Sequence, residues 1–248
     1  MDRMKAAIPK KRTALITGSS KGIGKAISSR FLAEGYFVIE NGRTENSITC
    51  KSNSEYYQMD LSNIVEIRKF ATTIIAQYEK LDVLVCNIGN GRQISETDPE
   101  ARWAHYLAQN LFCTTYLIEE LMPLLLTSKT SVIGISSVAA TIATSAPIEY
   151  SSAKSALETY FRLMAKQYVK NGLRFNLVAP GNIIFKDSTW DQKLNLDTES
   201  VLEQIAKDVP AARFGTPEEI AYAVSFLASS RCGFITGARI VSDGGQSL

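Results

Sequence analysis

The sequence of 248 residues holds a single histidine, His105, and four cysteines, Cys50, Cys86, Cys113 and Cys232. The cysteines stand far apart, form no C-x-x-C pair and have no histidine close by, so the clustered ligands of a structural zinc site are missing. No metal is expected. Cys86, inside Val83-Leu84-Val85-Cys86, reads as a small core hydrophobe in a reducing compartment. A Ser-His-Asp or Cys-His scheme would have to use His105 as its base, and His105 reads as a packed helix residue. No uninterrupted apolar run approaches ~18 residues, so no membrane span is expected. Residues 1–12 are basic but lack the apolar stretch of a secretory signal, which makes the cytoplasm the expected location. Charge of one sign is missing too. Lys plus Arg number 27 against 25 Asp plus Glu, a net of +2. Nucleic-acid-binding proteins usually concentrate basic charge, and acidic disordered chains carry the opposite excess, so neither class fits. Internal repeats, low-complexity tracts and Gly/Ser linkers are also lacking, and residues 1–248 are expected to form one domain.

What the chain does have is alternation. Short β-rich runs at Thr13–Thr17, Phe37–Glu40, Tyr56–Met59, Asp82–Cys86, Ser131–Ile135, Arg174–Val178 and Ala238–Val241 predict strands. Stretches with helical spacing separate them, at Ile23–Glu34, Val65–Tyr78, Glu100–Leu126, Ile148–Val169 and Pro217–Leu227. This order predicts an α/β fold, a doubly wound sheet of about seven mainly parallel strands with helices on both faces. Residues 181–198 are polar and irregular, with one tryptophan, Trp190, and are expected to form a substrate loop.

The first strand runs into Thr17-Gly18-Ser19-Ser20-Lys21-Gly22-Ile23-Gly24, and a helix follows. Glycines at such a junction let the backbone turn sharply and come close to a pyrophosphate. The free N–H groups of the new helix then favour the anion. A nucleotide site is expected here.

Further on, Glu149-Tyr150-Ser151-Ser152-Ala153-Lys154 contains Y-x-x-x-K. Positions i and i+4 share one face of a helix, so phenol and ammonium can share one site. A free tyrosine has a pKa near 10, and bringing it near 7 takes about 4 kcal/mol. A positive charge about 4 Å away at an effective dielectric near 20 is worth an amount of that order.

Taken together, these motifs resemble the short-chain dehydrogenase/reductase family, whose turn T-G-x-x-x-G-I-G is matched in full by Thr17 to Gly24. The resemblance extends to the C-terminus, where Ile235-Thr236-Gly237 and Ser242-Asp243-Gly244-Gly245 are similar to the 3-oxoacyl carrier-protein reductase-like members. It implies a Rossmann-type fold with a nicotinamide dinucleotide held by Gly18, Ser20, Lys21, Gly22, Ile23 and Gly24. Asp60 and Leu61 would meet the adenine, while Asn87 and Gly89 match the family's N-A-G, with Ile88 in place of Ala. Asn110, Ser137, Tyr150 and Lys154 match its catalytic set. Ser137 would bond the substrate carbonyl, and Tyr150 would carry the proton. Lys154 would tune Tyr150 and hold the nicotinamide ribose, and Asn110 would order a relaying water. Ser136 is the adjacent alternative to Ser137.

Near the nicotinamide, Pro180, Gly181 and Ile183 match the family's P-G segment. Phe185 stands where the family has a threonine that helps bind the carboxamide, and Thr189 follows four residues on. Phe185 and Trp190 would form an apolar wall beside the substrate, or simply pack the loop. By resemblance the residue that selects the dinucleotide is Asn41, which is uncharged. With Lys21 and Arg43 basic, NADP(H) is the expected cofactor. Glu40 is the rival, as an acceptor for the ribose 2′-hydroxyl of NAD. The expected activity is hydride transfer between NADP(H) and a ketone or secondary alcohol. A 3-oxoacyl thioester on acyl carrier protein is one substrate, met by Lys129, Lys166 and Lys170 unless these are plain solvated charges. A sugar-type or other polar ketone is the alternative, and a non-catalytic NADP(H) sensor is a further one. A homotetramer or homodimer is implied.

Overall fold

The computed structural model describes residues 11–44 and 52–248, so the basic N-terminal segment and Cys50 lie outside the described residues. Among the described residues the strands are β1 (Thr13–Ile16), β2 (Phe37–Gly42), β3 (Ser54–Gln58), β4 (Val83–Cys86), β5 (Ser131–Ile135), β6 (Arg174–Pro180) and β7 (Arg239–Ser242). They form one sheet in the order β3-β2-β1-β4-β5-β6-β7, and every neighbouring pair is parallel. The expected fold class holds, and "mainly parallel" becomes wholly parallel.

A parallel strand with helices on both sides must be apolar on both faces. Every residue of β1 and β4 is buried accordingly. Alternate side chains then feed two cores. Leu15, Ile39, Leu84 and Val132 face one side, where α2 (Ile64–Gln77), α4 (Cys113–Ser128) and α5 (Ile148–Tyr168) bury Phe70, Leu117 and Leu157 against them. Ile16, Val38, Val85 and Ile133 face the other side, where α1 (Gly22–Ala33) and α8 (Pro217–Ala228) contribute Phe31 and Val224. Cys86 and Cys113 are buried, as is Cys232.

Two expected segments differ in detail. Residues 100–126 are not one regular helix. α3 (Pro99–Leu107) passes into a π-helical turn (Ala108–Phe112) before α4 begins. The whole rod is long and apolar enough to cross a membrane, yet Leu117, Ile118, Leu121 and Leu125 are spent inside the core. His105 sits in the last turn of α3, edge-on to the Tyr106 ring at 5.4 Å. Residues 181–198 are not wholly irregular either. Ser188 accepts from the Asp191 N–H and starts α6 (Thr189–Leu196), and Asp197 caps α7 (Thr198–Asp208) in the same way. α6 buries no side chain completely, so it leaves no apolar stripe for periodicity to detect.

The start of α8 is a capping box. Thr216 accepts from the Glu219 N–H, Glu219 accepts from the Thr216 N–H, and Arg213 pairs with Glu219 at 2.7 Å. Thr216→Ala is expected to cost about 1 kcal/mol and lower Tm by about 2–4 °C in a thermal melt. An unchanged Tm would show that Arg213 holds the turn without the cap.

Candidate active site

The carboxyl ends of the strands frame a cavity of about 1160 Å³. That exceeds the ~300–1,000 Å³ of a site for one small ligand and suits two ligands side by side. It lies where strand order reverses between β1 and β4, the usual crevice of open α/β sheets.

At one end of the cavity is the glycine-rich turn. Ser19 donates its N–H and Oγ–H to the Asn41 carbonyl, tying the turn to β2. Asn87 donates to the carbonyls of Thr17 and Gly18 at 3.1 and 3.0 Å, tying it to the end of β4. Gly18 and Gly22 have φ of +63° and +55°, in the left-handed region that favours glycine. A Cβ on Gly24 would fall 2.2 Å from the Gly18 carbonyl oxygen. The turn is therefore a bare backbone cradle opening α1, which fits a pyrophosphate.

Along the cavity, Gly18, Ser20, Lys21, Ile23, Arg43, Asp60, Asn87, Gly89, Ser137, Tyr150, Lys154, Pro180, Gly181 and Ile183 all form its lining. Gly22, Gly24, Leu61 and Asn110 lie behind that lining. Leu61 is wholly buried in the core on the α2 side. Asn110, also wholly buried, occupies the π-helical turn; its Oδ1 accepts from the Asn90 N–H at 2.8 Å, and its Nδ2 donates to the Asn90 and Tyr106 carbonyls. Its side chain thus fixes the loop after β4. A Cβ on Gly89 would sit 2.7 Å from Lys154 Nζ and 3.1 Å from Asn110 Oδ1, so this glycine lets both approach the chain.

Ser137 and Ser136 separate clearly. Ser136 Oγ is buried and donates to Glu158 at 2.6 Å, whereas Ser137 Oγ accepts from the Ala139 N–H and faces the Tyr150 phenol. Lys154, nearly wholly buried, donates to the Ile135 carbonyl at 2.8 Å and lies 5.9 Å from the Tyr150 ring centre. Burial raises the Tyr150 pKa above its usual value, and the facing Ser137 hydroxyl opposes this. The Lys154 ammonium is bonded to Ile135 here and faces the Tyr150 ring from that position. Burial lowers Lys154 to about 8, with the Glu158 carboxylate among the groups that oppose the shift.

The adenosine end separates the charged candidates. Glu40 accepts from Ser28 Oγ on α1 and does not line the cavity. Asn41 lines the cavity; its Nδ2 donates to the Tyr57 and Met59 carbonyls, while its buried Oδ1 has no partner among the described residues. Lys25 joins Lys21 and Arg43 in the lining; its position one helical turn after Lys21 was a readable signal. Arg92 and Lys193 also line the cavity. Arg92 lies in a loop with no periodicity to flag it, and Lys193 sits over the Trp190 ring at 4.6 Å. Phe185 packs across the glycine turn, its ring 2.6 Å from where a Gly22 Cβ would be, while Trp190 packs on Phe214. Lys129 and Lys170 precede β5 and β6, at the sheet edge opposite the cavity, and Lys166 does not line it either.

A family model described as enoyl-(acyl carrier protein) reductase matches residues 18–247. The putative ketoacyl reductase 2 of the granaticin polyketide synthase of Streptomyces violaceoruber is 32% identical, covering 97% of this chain and 98% of its own. Glucose 1-dehydrogenase 2 of Bacillus subtilis is 31% identical, covering 96% and 95%. The solved active-site complex of Pseudomonas aeruginosa RhlG with NADP superposes with a TM-score of 0.86 at 29% identity, covering 100% of both chains. The chain belongs to the short-chain dehydrogenase/reductase family. It is an oxidoreductase that interconverts keto and alcohol groups with a nicotinamide cofactor.

The Lys154 ammonium exists below its pKa, so a lowered pKa brings its loss into the working range. Dinucleotide Kd, followed by NADPH fluorescence, is expected to hold steady on the acid side of about 8 and weaken as pH rises through that value. Lys154→Met should bind weakly without that dependence. The same pH dependence surviving in Lys154→Met would assign it to another group.

Proposed function

We propose that the protein reduces a ketone to a secondary alcohol with NADPH. The observation that carries this reading is a shared wall: Ser137, Tyr150 and Lys154 line the same cavity as the Gly18–Lys21 turn. When bound, the nicotinamide supplies the hydride at its C4. Ser137 donates a hydrogen bond to the substrate carbonyl oxygen, where negative charge develops. Tyr150, kept protonated by burial, gives that oxygen its proton. Lys154 holds the nicotinamide ribose, and Asn110 keeps the Gly89–Asn90 loop in place beside it.

NADP(H) is favoured over NAD(H) by the three cations Lys21, Lys25 and Arg43 in the lining. Glu40, turned toward Ser28, leaves no carboxylate at the end of β2 to accept from a ribose hydroxyl. For the substrate, the ketoacyl reductase relative favours a 3-oxoacyl thioester, and the matched model's description favours acyl carrier protein as its carrier. The polar residues Gln109, Gln204 and Asp208 of the lining, with the glucose dehydrogenase relative, favour a polar ketone as the second substrate class. Exposed apolar side chains, among them Tyr222 and Phe226 one turn apart on α8, support a homodimer or homotetramer. Free, buried cysteines suit the reducing cytoplasm.

Tyr150→Phe is expected to lower turnover by about 10²–10⁴-fold while NADPH still binds; near-normal rates would refute the reading. Arg43→Ala should raise KM for NADPH about tenfold or more, the worth of a charge-assisted hydrogen bond, and leave KM for NADH unchanged. Equal effects on both would sink the NADP(H) assignment. NADPH oxidation against a panel of 3-oxoacyl thioesters and sugar-type ketones decides the substrate class. Tight NADPH binding with no turnover on any of them would favour the sensor.

A further inference from the structure

Tyr150, Lys154 and Glu158 recur every four residues along α5 and so share one face. The first two line the cavity; Glu158 points beneath it. The Oε1 of Glu158 accepts from Ser136 Oγ at 2.6 Å and from Arg239 Nε at 2.7 Å. Arg239 comes from β7, where it pairs with Leu177 of β6. Its Nη2 reaches further, donating to Thr141 Oγ1 at 3.0 Å and to the carbonyl of Ser137 itself at 3.5 Å. Both side chains are largely buried, at 14% and 24% exposed for Glu158 and Arg239.

The place of these bonds matters. The pairing of β5 with its neighbours runs out at Ile135, so the chain leaves the sheet just before the residue that faces Tyr150. From Ser136 to Thr141 the backbone depends on a few contacts. The Ser136 N–H donates to Val178, Ser155 Oγ donates to the Ala140 carbonyl, and the Ser137 hydroxyl accepts from the Ala139 N–H. A turn inside the segment adds bonds from the Ala140 N–H to the Ser137 carbonyl and from the Thr141 and Ile142 N–H groups to the Val138 carbonyl. The Glu158–Arg239 pair ties the segment from outside, at Ser136, at Ser137 and at Thr141.

We infer that Glu158 and Arg239 are positioning residues of the reaction: their ion pair clamps the segment after β5 and thereby aims the Ser137 hydroxyl at the carbonyl oxygen that Tyr150 protonates. The inference rests on the reading of Ser137 and Tyr150 given above. Misplacement of a reacting group by about 1 Å can cost 10²-fold in rate. Neither residue lines the cavity; the pair reaches it only through Ser136 and Ser137.

The test uses Arg239→Met, Arg239→Lys and Glu158→Gln in the full chain, with NADPH and the fastest ketone of the panel. Arg239→Met is expected to lower kcat about ten- to hundredfold, with NADPH Kd and the KM for the ketone within about twofold. Arg239→Lys keeps the charge but not the fork that spans Glu158 and Ser137, so it should fall between the two. Glu158→Gln keeps the acceptor for Ser136 and loses the ion pair; it serves where Arg239→Met fails to fold. The deciding measurement is a double-mutant cycle. In a Ser137→Ala background the Arg239→Met loss should vanish, since there is no hydroxyl left to aim. A loss of the same factor in both backgrounds would overturn the inference, as would a lowered Tm with kcat unchanged. Failure of the underlying reading shows separately, as Tyr150→Phe retaining its rate.

Discussion

The Nζ of Lys154 donates to the carbonyl of Ile135, the last residue of β5, and almost none of that lysine meets solvent. A buried ammonium without partners is costly, so this contact must be made wherever α5 packs on the sheet. It fixes how far along the helix axis α5 sits relative to the strand end. Tyr150 stands one turn earlier on the same helix face, and Ser137 stands two residues past Ile135. That the two face each other therefore follows from where Lys154 is anchored. Gly89, which admits the ammonium where any larger residue would collide with it, belongs to the same constraint. The cost of the arrangement is a Lys154 pKa drawn down to about 8.

Around that anchor the all-parallel sheet does the gathering. Every strand ends on the same edge, so turns separated widely in the chain meet along one crevice. The turn after β1 offers a backbone cradle, and the loop after β4 offers Asn87 and Gly89. The segment after β5 offers Ser137, and the segment after β6 closes over the top with Phe185 and α6. Hydrogen bonds between these turns, such as those of Asn87 to Thr17 and Gly18, make the crevice a connected wall. The two serines that end β5 illustrate the economy of the design. One faces inward to Glu158 and is structural, while its neighbour faces Tyr150.

Much of this was legible before the structure. Strands such as β1 and β4 announce themselves because burial on both faces leaves them nearly all apolar. The glycine turn and Y-x-x-x-K are legible because their geometry is local: a strand-to-helix turn and a single helical face. The π-helical turn at Asn110 was not legible, since the apolar pattern runs through it and only hydrogen bonding to Asn90 marks the place. α6 was missed because it buries nothing fully, and a helix without an apolar stripe looks like loop. Phe185 was visible as a departure, but not that its ring would lie across Gly22.

Composition and local pattern by themselves determined the α/β class and pointed to the glycine turn, because each is set by residues a few positions apart. Where the charges act was decided only by tertiary structure. Glu40 and Arg43 are three residues apart in sequence, yet alternation along β2 and the turn beyond it send one to Ser28 on α1 and the other to the cavity. Glu158 and Arg239 are 81 residues apart and meet beneath Ser137. No spacing in the chain encodes that meeting, because it exists only once β7 has paired with β6 and α5 has been docked by Lys154.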